Sequence, residues 1–268
     1  MKEWSRRTVV TSLVLALVAA VAFFAMRLAC GNEDAAGAIS TAGAVAFALF
    51  ATGSAFDVAR RLKPGEPLRA QVVLIGLGMA ALVMGDFLYW LLESVLGLSP
   101  YPSVADVFYV ASFPLLGGGL MLALRAFSRG NKQPMPLAAA VAASLLATFA
   151  VWGTVLAPVF GDSEISILEK VLGALYPVGD LWLLLLPALA LAIALGRFAG
   201  GRLAVPWVIV AVGAVLMAAT DTAYTWMDYA GTYVSGSFID VGWWLAYAAI
   251  GLGMIALADA QGLRGGRR

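Results

Sequence analysis

Eight segments of this chain are apolar and long enough to cross a bilayer: 8–29, 37–59, 70–97, 104–125, 136–158, 168–196, 203–229 and 238–259. Backbone placed in hydrocarbon finds no water, so its amides and carbonyls must be satisfied internally, and a helix does that within one segment. The expected fold class is therefore all-α. The chain reads as a polytopic membrane helix bundle of eight transmembrane helices, a single integral membrane domain over residues 1–268. Composition agrees: 62% hydrophobic and 12% charged residues, with a mean hydropathy of +0.91, lie outside the range of soluble domains.

The loops set the expected orientation. Arg60, Arg61, Lys63 and Arg69 follow the second segment, Arg125, Arg129 and Lys132 the fourth, Arg197 and Arg202 the sixth, and Arg264, Arg267 and Arg268 the eighth. The alternate loops carry Glu33, Asp34, Asp106, Asp162, Glu164 and Asp240 and almost no basic residues. By the positive-inside rule both termini face the cytoplasm. The expected location is the cell membrane, the inner membrane of a bacterium. The first segment follows Lys2, Arg6 and Arg7, and Leu28-Ala29-Cys30 faintly resembles a lipoprotein cleavage site. Its apolar run is long for a signal peptide and Arg27 interrupts the site, so it is expected to stay uncleaved.

Several chemistries drop out. A net charge of +1 leaves no footprint for nucleic acid. One cysteine, Cys30, permits no intrachain disulfide, and the absence of histidine removes the usual haem, zinc and di-iron ligands and the Ser-His-Asp triad. No metal and no cofactor is expected. No lysine lies mid-span in a late helix, which argues against retinal.

Acids, tyrosines and tryptophans remain, and they recur. Gly85-Asp86-x-x-Tyr89-Trp90-x-x-Glu93 in the third segment is echoed by Thr220-Asp221-x-x-Tyr224-Thr225-x-x-Asp228 in the seventh. Ser103-x-x-Asp106-Val107 and Ser237-x-x-Asp240-Val241 then open the fourth and eighth, 17 and 16 residues after the leading Asp. The third segment thus pairs with the seventh and the fourth with the eighth. This suggests two parallel four-helix repeats, about 8–128 and 136–260.

The i, i+3, i+7 spacing puts Asp86, Tyr89 and Glu93 on one helix face, and Asp221, Tyr224 and Asp228 on another. Asp86 and Asp221 lie about ten residues from the outer ends, roughly 15 Å deep. Asp180, after Tyr176-Pro177, reaches a similar depth. Carboxylates there cost about 2.5–3.5 kcal/mol each on insertion scales, so they should face the bundle interior or a wet cavity. The expected site is an outward-opening cup, with Asp86, Asp180 and Asp221 at its floor and Tyr89, Trp90, Tyr224, Trp243 and Trp244 on its walls. Tyr176, Glu93, Asp106, Asp228 and Asp240 complete the candidate ligand-binding set. Asp106 and Asp240 also fit plain capping boxes with Ser103 and Ser237. Trp4, Trp152, Trp207 and Trp226 read as interfacial anchors, and Gly117, Gly118, Gly119, Gly251 and Gly253 as close-packing positions. Asp57 is expected to pair with Arg60 and Arg61, and Arg27 with Glu93 or Asp228.

The run Gly85-Asp86-x-x-Tyr89 … Pro100-Tyr101-Pro102-Ser103-x-Ala105-Asp106-x-Phe108-Tyr109 … Phe113-Pro114-Leu115-Leu116, with Tyr176-Pro177-x-x-Asp180-Leu181 and Gly236-Ser237-x-x-Asp240, resembles the multi-spanning N-terminal region of bacterial, especially actinobacterial, GGDEF/EAL diguanylate cyclases and phosphodiesterases. That resemblance covers roughly residues 70–260 and implies a sensor-like module. It also implies a separate cytoplasmic or membrane signalling partner, because no output domain is present in the sequence. Gly85-Asp86 in the third of eight spans and Thr220-Asp221 in the seventh are also similar to lysoplasmalogenase-like membrane hydrolases, which implies catalytic roles for Asp86 and Asp221.

The expected function is a membrane receptor or sensor module, more readily a binder than an enzyme. It would take a small amphipathic or cationic ligand, or a lipid, in the acidic and aromatic cup. The alternatives are an intramembrane hydrolase of a lipid-like substrate, in which Asp86 and Asp221 share a proton, and a proton-coupled transporter. A purely structural membrane subunit also fits the composition.

Overall fold

The computed structural model describes residues 31–98, 101–128, 135–197 and 204–263, with scattered positions between 10 and 29. The first apolar segment, Arg27, Cys30 and the basic residues Arg129, Lys132, Arg202, Arg264, Arg267 and Arg268 fall largely or wholly outside the described residues.

Seven helices are long and apolar enough to cross a membrane. They are α1, Glu33–Arg61; α2, Pro67–Trp90, extended by a π-helical turn at Leu91–Val95; and α3, Val104–Ser128. Helix α4 runs Met135–Val151, widens into a π turn at Trp152–Leu156 and ends as Ala157–Gly161. Helix α5 runs Ile167–Val178, widens at Gly179–Leu185 and resumes as Leu186–Arg197. Helix α6 is Ala204–Tyr229 and α7 is Asp240–Ala260. Among the described residues there is no strand. The protein is an all-helical, multi-pass bundle.

Local chemistry sets the helix ends. Pro67 opens α2, where its missing N–H costs nothing. Ser166 and Glu169 cap α5 reciprocally. Asp57 pairs with both Arg60 and Arg61 at the end of α1, its contact to Arg61 Nε measuring 2.9 Å. All three groups are solvent-facing, so these pairs mark the polar end of the helix and add little stability.

Six helices close into a ring in the order α1, α2, α3, α5, α6, α7 and back to α1. Helix α4 lies outside it, mainly against α5. Its outer face is left to lipid: Leu146 and Phe149 are 74% and 82% exposed. Phe24, from the first apolar segment, meets Phe238 edge-on at 5.6 Å, beside the loop that leads into α7.

At the end where α1 runs into α2, the centre of the ring is filled with apolar side chains. Ile75, Leu116, Leu120, Leu184, Val210 and Ile250 meet there, all buried, leaving a gap of only about 10 Å³. Trp207 belongs to this packed region. It is 1% exposed, so it is a core residue and not the interfacial anchor its position suggested. Trp152 and Trp226, both about half exposed, suit that role.

Glycine permits the close crossings. A methyl group at Gly117 would lie 2.1 Å from the Leu183 carbonyl oxygen, and one at Gly119 would lie 2.8 Å from that of Gln71. Gly251 and Gly253 are similarly crowded, by α1 and α6. Gly118 differs, since its nearest neighbour would be a flexible Leu74 methyl at 3.5 Å, an ordinary contact. Gly117→Ala is therefore expected to destabilise the bundle by at least about 1–3 kcal/mol, because backbone must move. Gly118→Ala should stay within about 0.5 kcal/mol. Thermal unfolding of the detergent-solubilised variants measures both, and equal effects would contradict the packing described.

Candidate functional site

At the opposite end of the ring the helices part around a cavity of about 160 Å³. It is walled by the starts of α1, α3 and α7, the ends of α2 and α6, and the first half of α5. Seven of the eight tyrosines and five aspartates line it, and none of the described lining residues is Lys or Arg.

The floor has two matched pairs. On α2, Asp86 is 9% exposed, and the Tyr109 hydroxyl of α3 donates to its Oδ1 at 3.0 Å. Gly85 makes that contact possible, because a side chain there would strike the Tyr109 ring. On α6, Asp221 Oδ1 accepts from the Trp243 indole of α7 at 2.5 Å. Tyr109 and Trp243 stand at the same place in the sequence pattern, three residues after Asp106 and Asp240. Asp86 Oδ2 has no hydrogen-bond partner although it is buried.

Asp180 is fully buried beneath this floor, on the π-helical segment of α5. Neither of its oxygens meets a hydroxyl, amide or indole donor. The π segment that carries Asp180 packs against α6, the helix of Asp221. Pro177 precedes it within α5.

The upper wall also has two aspartates. Asp106 accepts from its own Ser103 amide at 2.6 Å, as a capping box requires, and from the Tyr176 hydroxyl of α5. Asp240 departs from the expected box. Its Oδ2 accepts from the Gly236 amide at 2.8 Å, not from that of Ser237, and from the Ser40 hydroxyl of α1 at 2.5 Å. Its Oδ1 accepts from Tyr233 at 3.1 Å. Gly236 has φ of 87° and sits against the backbone of Ala36, so only glycine fits that turn. Asp106 therefore ties the start of α3 to its neighbour α5 in addition to capping α3, and Asp240 ties the start of α7 to its neighbour α1.

Aromatic rings complete the wall. Tyr224 stands edge-on to Tyr233 and Trp243, at 4.7 and 5.6 Å between ring centres. Trp244 is buried and donates to the Ser40 carbonyl at 3.0 Å. Two tyrosines lie in the loops outside the helices. Burial pushes the Tyr101 phenol up from its ordinary value, and so do Asp106, Asp228 and Glu169. Burial and then Asp240 do the same for Tyr233. Both stay protonated donors at physiological pH.

Of the expected site residues, Asp86, Tyr89, Asp106, Tyr176, Asp221, Tyr224, Asp228, Asp240 and Trp243 line the cavity. Asp180 lies just behind it. Glu93, on the π turn of α2, is not among the lining residues. Trp90 is turned off the wall against Phe87, 6.0 Å between ring centres. Tyr109, Ser40 and Tyr247 also line the cavity and were not singled out by sequence. The signal for Tyr109 was its match to Trp243. Ser40 and Tyr247 carry no comparable mark. Among the described residues no group of acids is arranged to hold a metal ion. No protein-family model, no curated protein and no solved structure matches the chain.

Asp180→Asn is expected to stabilise the solubilised protein or leave it unchanged, because a neutral amide of the same shape is cheaper to bury where no donor meets the carboxyl. Asp221→Leu should cost about 1–3 kcal/mol by leaving the Trp243 indole N–H without its acceptor. Unfolding temperatures check both, and a large loss of stability in Asp180→Asn would contradict the burial described for Asp180.

Proposed function

We propose that the protein is a membrane receptor-like module that binds a small cationic or amphipathic ligand in the cavity and acts through a separate signalling partner. The observation that carries this reading is the lining: five aspartates and seven tyrosines around one cavity, with no basic residue among the described lining residues. A carboxylate cluster attracts cations, and aromatic faces hold them by cation–π contact. The apolar plug beneath the floor makes the cavity a closed-ended cup.

In this reading the chain has eight spans arranged as two parallel four-helix halves, with the cup facing outward and both termini in the cytoplasm. Matched contacts support the halves. Gly78 packs on Leu116 as Gly213 packs on Ile250, and Gly119 packs on Gln71 and Ile75 as Gly253 packs on Pro206 and Val210. The partners in these pairs are offset by 134 or 135 residues, the same offsets that separate Asp86 from Asp221 and Asp106 from Asp240. Ring order agrees, because shifting every helix by half the chain maps α1, α2 and α3 onto α5, α6 and α7. The basic residues Arg60, Arg61, Lys63, Arg69 and Arg125 all lie at the end away from the cup. The resemblance to sensor regions of GGDEF/EAL proteins is consistent with a signalling role through a partner.

The alternative is an aspartate-dependent hydrolase of a lipid-like substrate, with Asp86 and Asp221, both on the cavity wall, as acid and base.

Native mass spectrometry of gently solubilised protein separates these readings. The wild type is expected to carry a defined small molecule that is lost from the Asp86→Asn/Asp221→Asn double variant. Retention of the same molecule by the variant, or turnover of a bound lipid by the wild type, would overturn the receptor reading.

A further inference from the structure

Four of the five aspartates around the cavity are held by an aromatic donor. Tyr109 donates to Asp86, Tyr176 to Asp106, Tyr233 to Asp240 and Trp243 to Asp221. All eight of these residues line the cavity. The bonds leave few carboxyl oxygens for a ligand. Asp106 accepts through both oxygens, and so does Asp240, whose Oδ2 also takes the Ser40 hydroxyl and the Gly236 amide. Asp86 accepts through Oδ1, and its Oδ2 is closed to solvent. Asp221 Oδ1 is taken by the Trp243 indole. Asp228, the fifth, is solvent-exposed, so water competes for it.

The walls offer aromatic surface instead. Tyr224 stands against Tyr233 and Trp243 at 4.7 and 5.6 Å between ring centres, on α6, α7 and the loop between them. Tyr109 stands against Tyr176 at 6.4 Å, on α3 and α5. A phenol or indole that donates its proton to a carboxylate gains electron density in its ring, and the ring face becomes more negative. The aspartates thus act on the cavity through their field and through the rings bonded to them.

This arrangement selects among cations. A primary ammonium leaves water with three N–H donors to satisfy, and an unmade bond to a charged group is costly. A quaternary ammonium has no N–H. Ring faces and negative potential hold it without any open acceptor. Space permits it: the cavity is about 160 Å³, and about 150 Å³ admits a molecule as large as benzene. A divalent metal is poorly served, because among the described residues no group of acids is arranged to hold one.

We infer that the cavity takes a quaternary ammonium head group, in the simplest case trimethylammonium, seated against the rings of Tyr224, Tyr233 and Trp243. Ring centres this close reach one cation together, and α6 also carries Asp221 and Asp228, the two lining aspartates that are not buried. The inference rests on the receptor reading and narrows its ligand from cations in general to those without N–H.

The test is calorimetry on the full-length protein in lipid nanodiscs. Tetramethylammonium and choline are compared with methylammonium and ethanolamine, and with 3,3-dimethylbutan-1-ol, the uncharged isostere of choline. Choline is expected to bind at least about tenfold tighter than either ethanolamine or the isostere. Tyr224→Phe keeps the ring and should hold choline within about threefold of the wild type, whereas Tyr224→Leu should weaken it at least about fivefold. The wild-type series needs no variant to fold. Ethanolamine binding as tightly as choline would overturn the quaternary head group, and so would equal binding of the uncharged isostere. No binding of any of these compounds, with another small molecule retained in native mass spectrometry, would overturn the inference and leave the receptor reading standing.

Discussion

The structure depends on the cost of placing carboxyl groups where water is scarce. An aspartate deep in a membrane helix costs about 2.5–3.5 kcal/mol on insertion scales, and a hydrogen bond to a charged group returns about 1.5–3 kcal/mol. One good donor thus roughly offsets one acid, and the bundle supplies donors accordingly. Tyr109 serves Asp86, Trp243 serves Asp221, Tyr176 serves Asp106, and Ser40, Tyr233 and the Gly236 amide serve Asp240. Each of the side-chain donors apart from Tyr233 comes from a different helix than its acceptor. These bonds therefore join α2 to α3, α6 to α7, α3 to α5 and α7 to α1. Four of the six contacts around the ring carry one, and all four lie at the cavity end. The other end is held by apolar packing at glycine crossings.

Much of this was legible in the sequence because membrane helices obey simple rules. Segment boundaries followed hydropathy, and all seven described helices fall within a few residues of their expected spans, with α1 starting earlier at Glu33. The i, i+3, i+7 spacing placed Asp86 and Tyr89 on the cavity side, and likewise Asp221, Tyr224 and Asp228. Helical periodicity does not reveal where a helix departs from itself. Asp180 falls on the π segment Gly179–Leu185 and is buried behind the cavity rather than on its floor, which no spacing argument on a regular helix anticipates. The π turn at Leu91–Val95 begins directly after Trp90, which packs on Phe87 and so leaves the wall. Ser40 was illegible for another reason: a serine in an apolar helix is common, and only the approach of α7 gives it an acid to bind.

The same geometry links fold to function. A ring of six helices has a natural hole along its axis, and this chain fills only one end of it. At the open end the fold concentrates nearly all its tyrosines and five of its acids. Leaving Asp86 and Asp180 short of partners costs stability that better-satisfied side chains would have kept. The aspartates and tyrosines of the cavity wall are what a cationic ligand would meet, which ties the receptor proposal to the chemistry of the site rather than to its shape alone.

A wet, reachable and negatively charged cavity would admit charged thiol reagents. With Cys30 replaced by serine and Thr225→Cys introduced in the cavity wall, the modification rates by cationic and anionic methanethiosulfonate reagents of similar size can be compared. Both reagents should react, the cationic one faster by at least about tenfold, with the difference shrinking in high salt. Equal rates, or no reaction with either reagent in a folded variant, would rule such a cavity out.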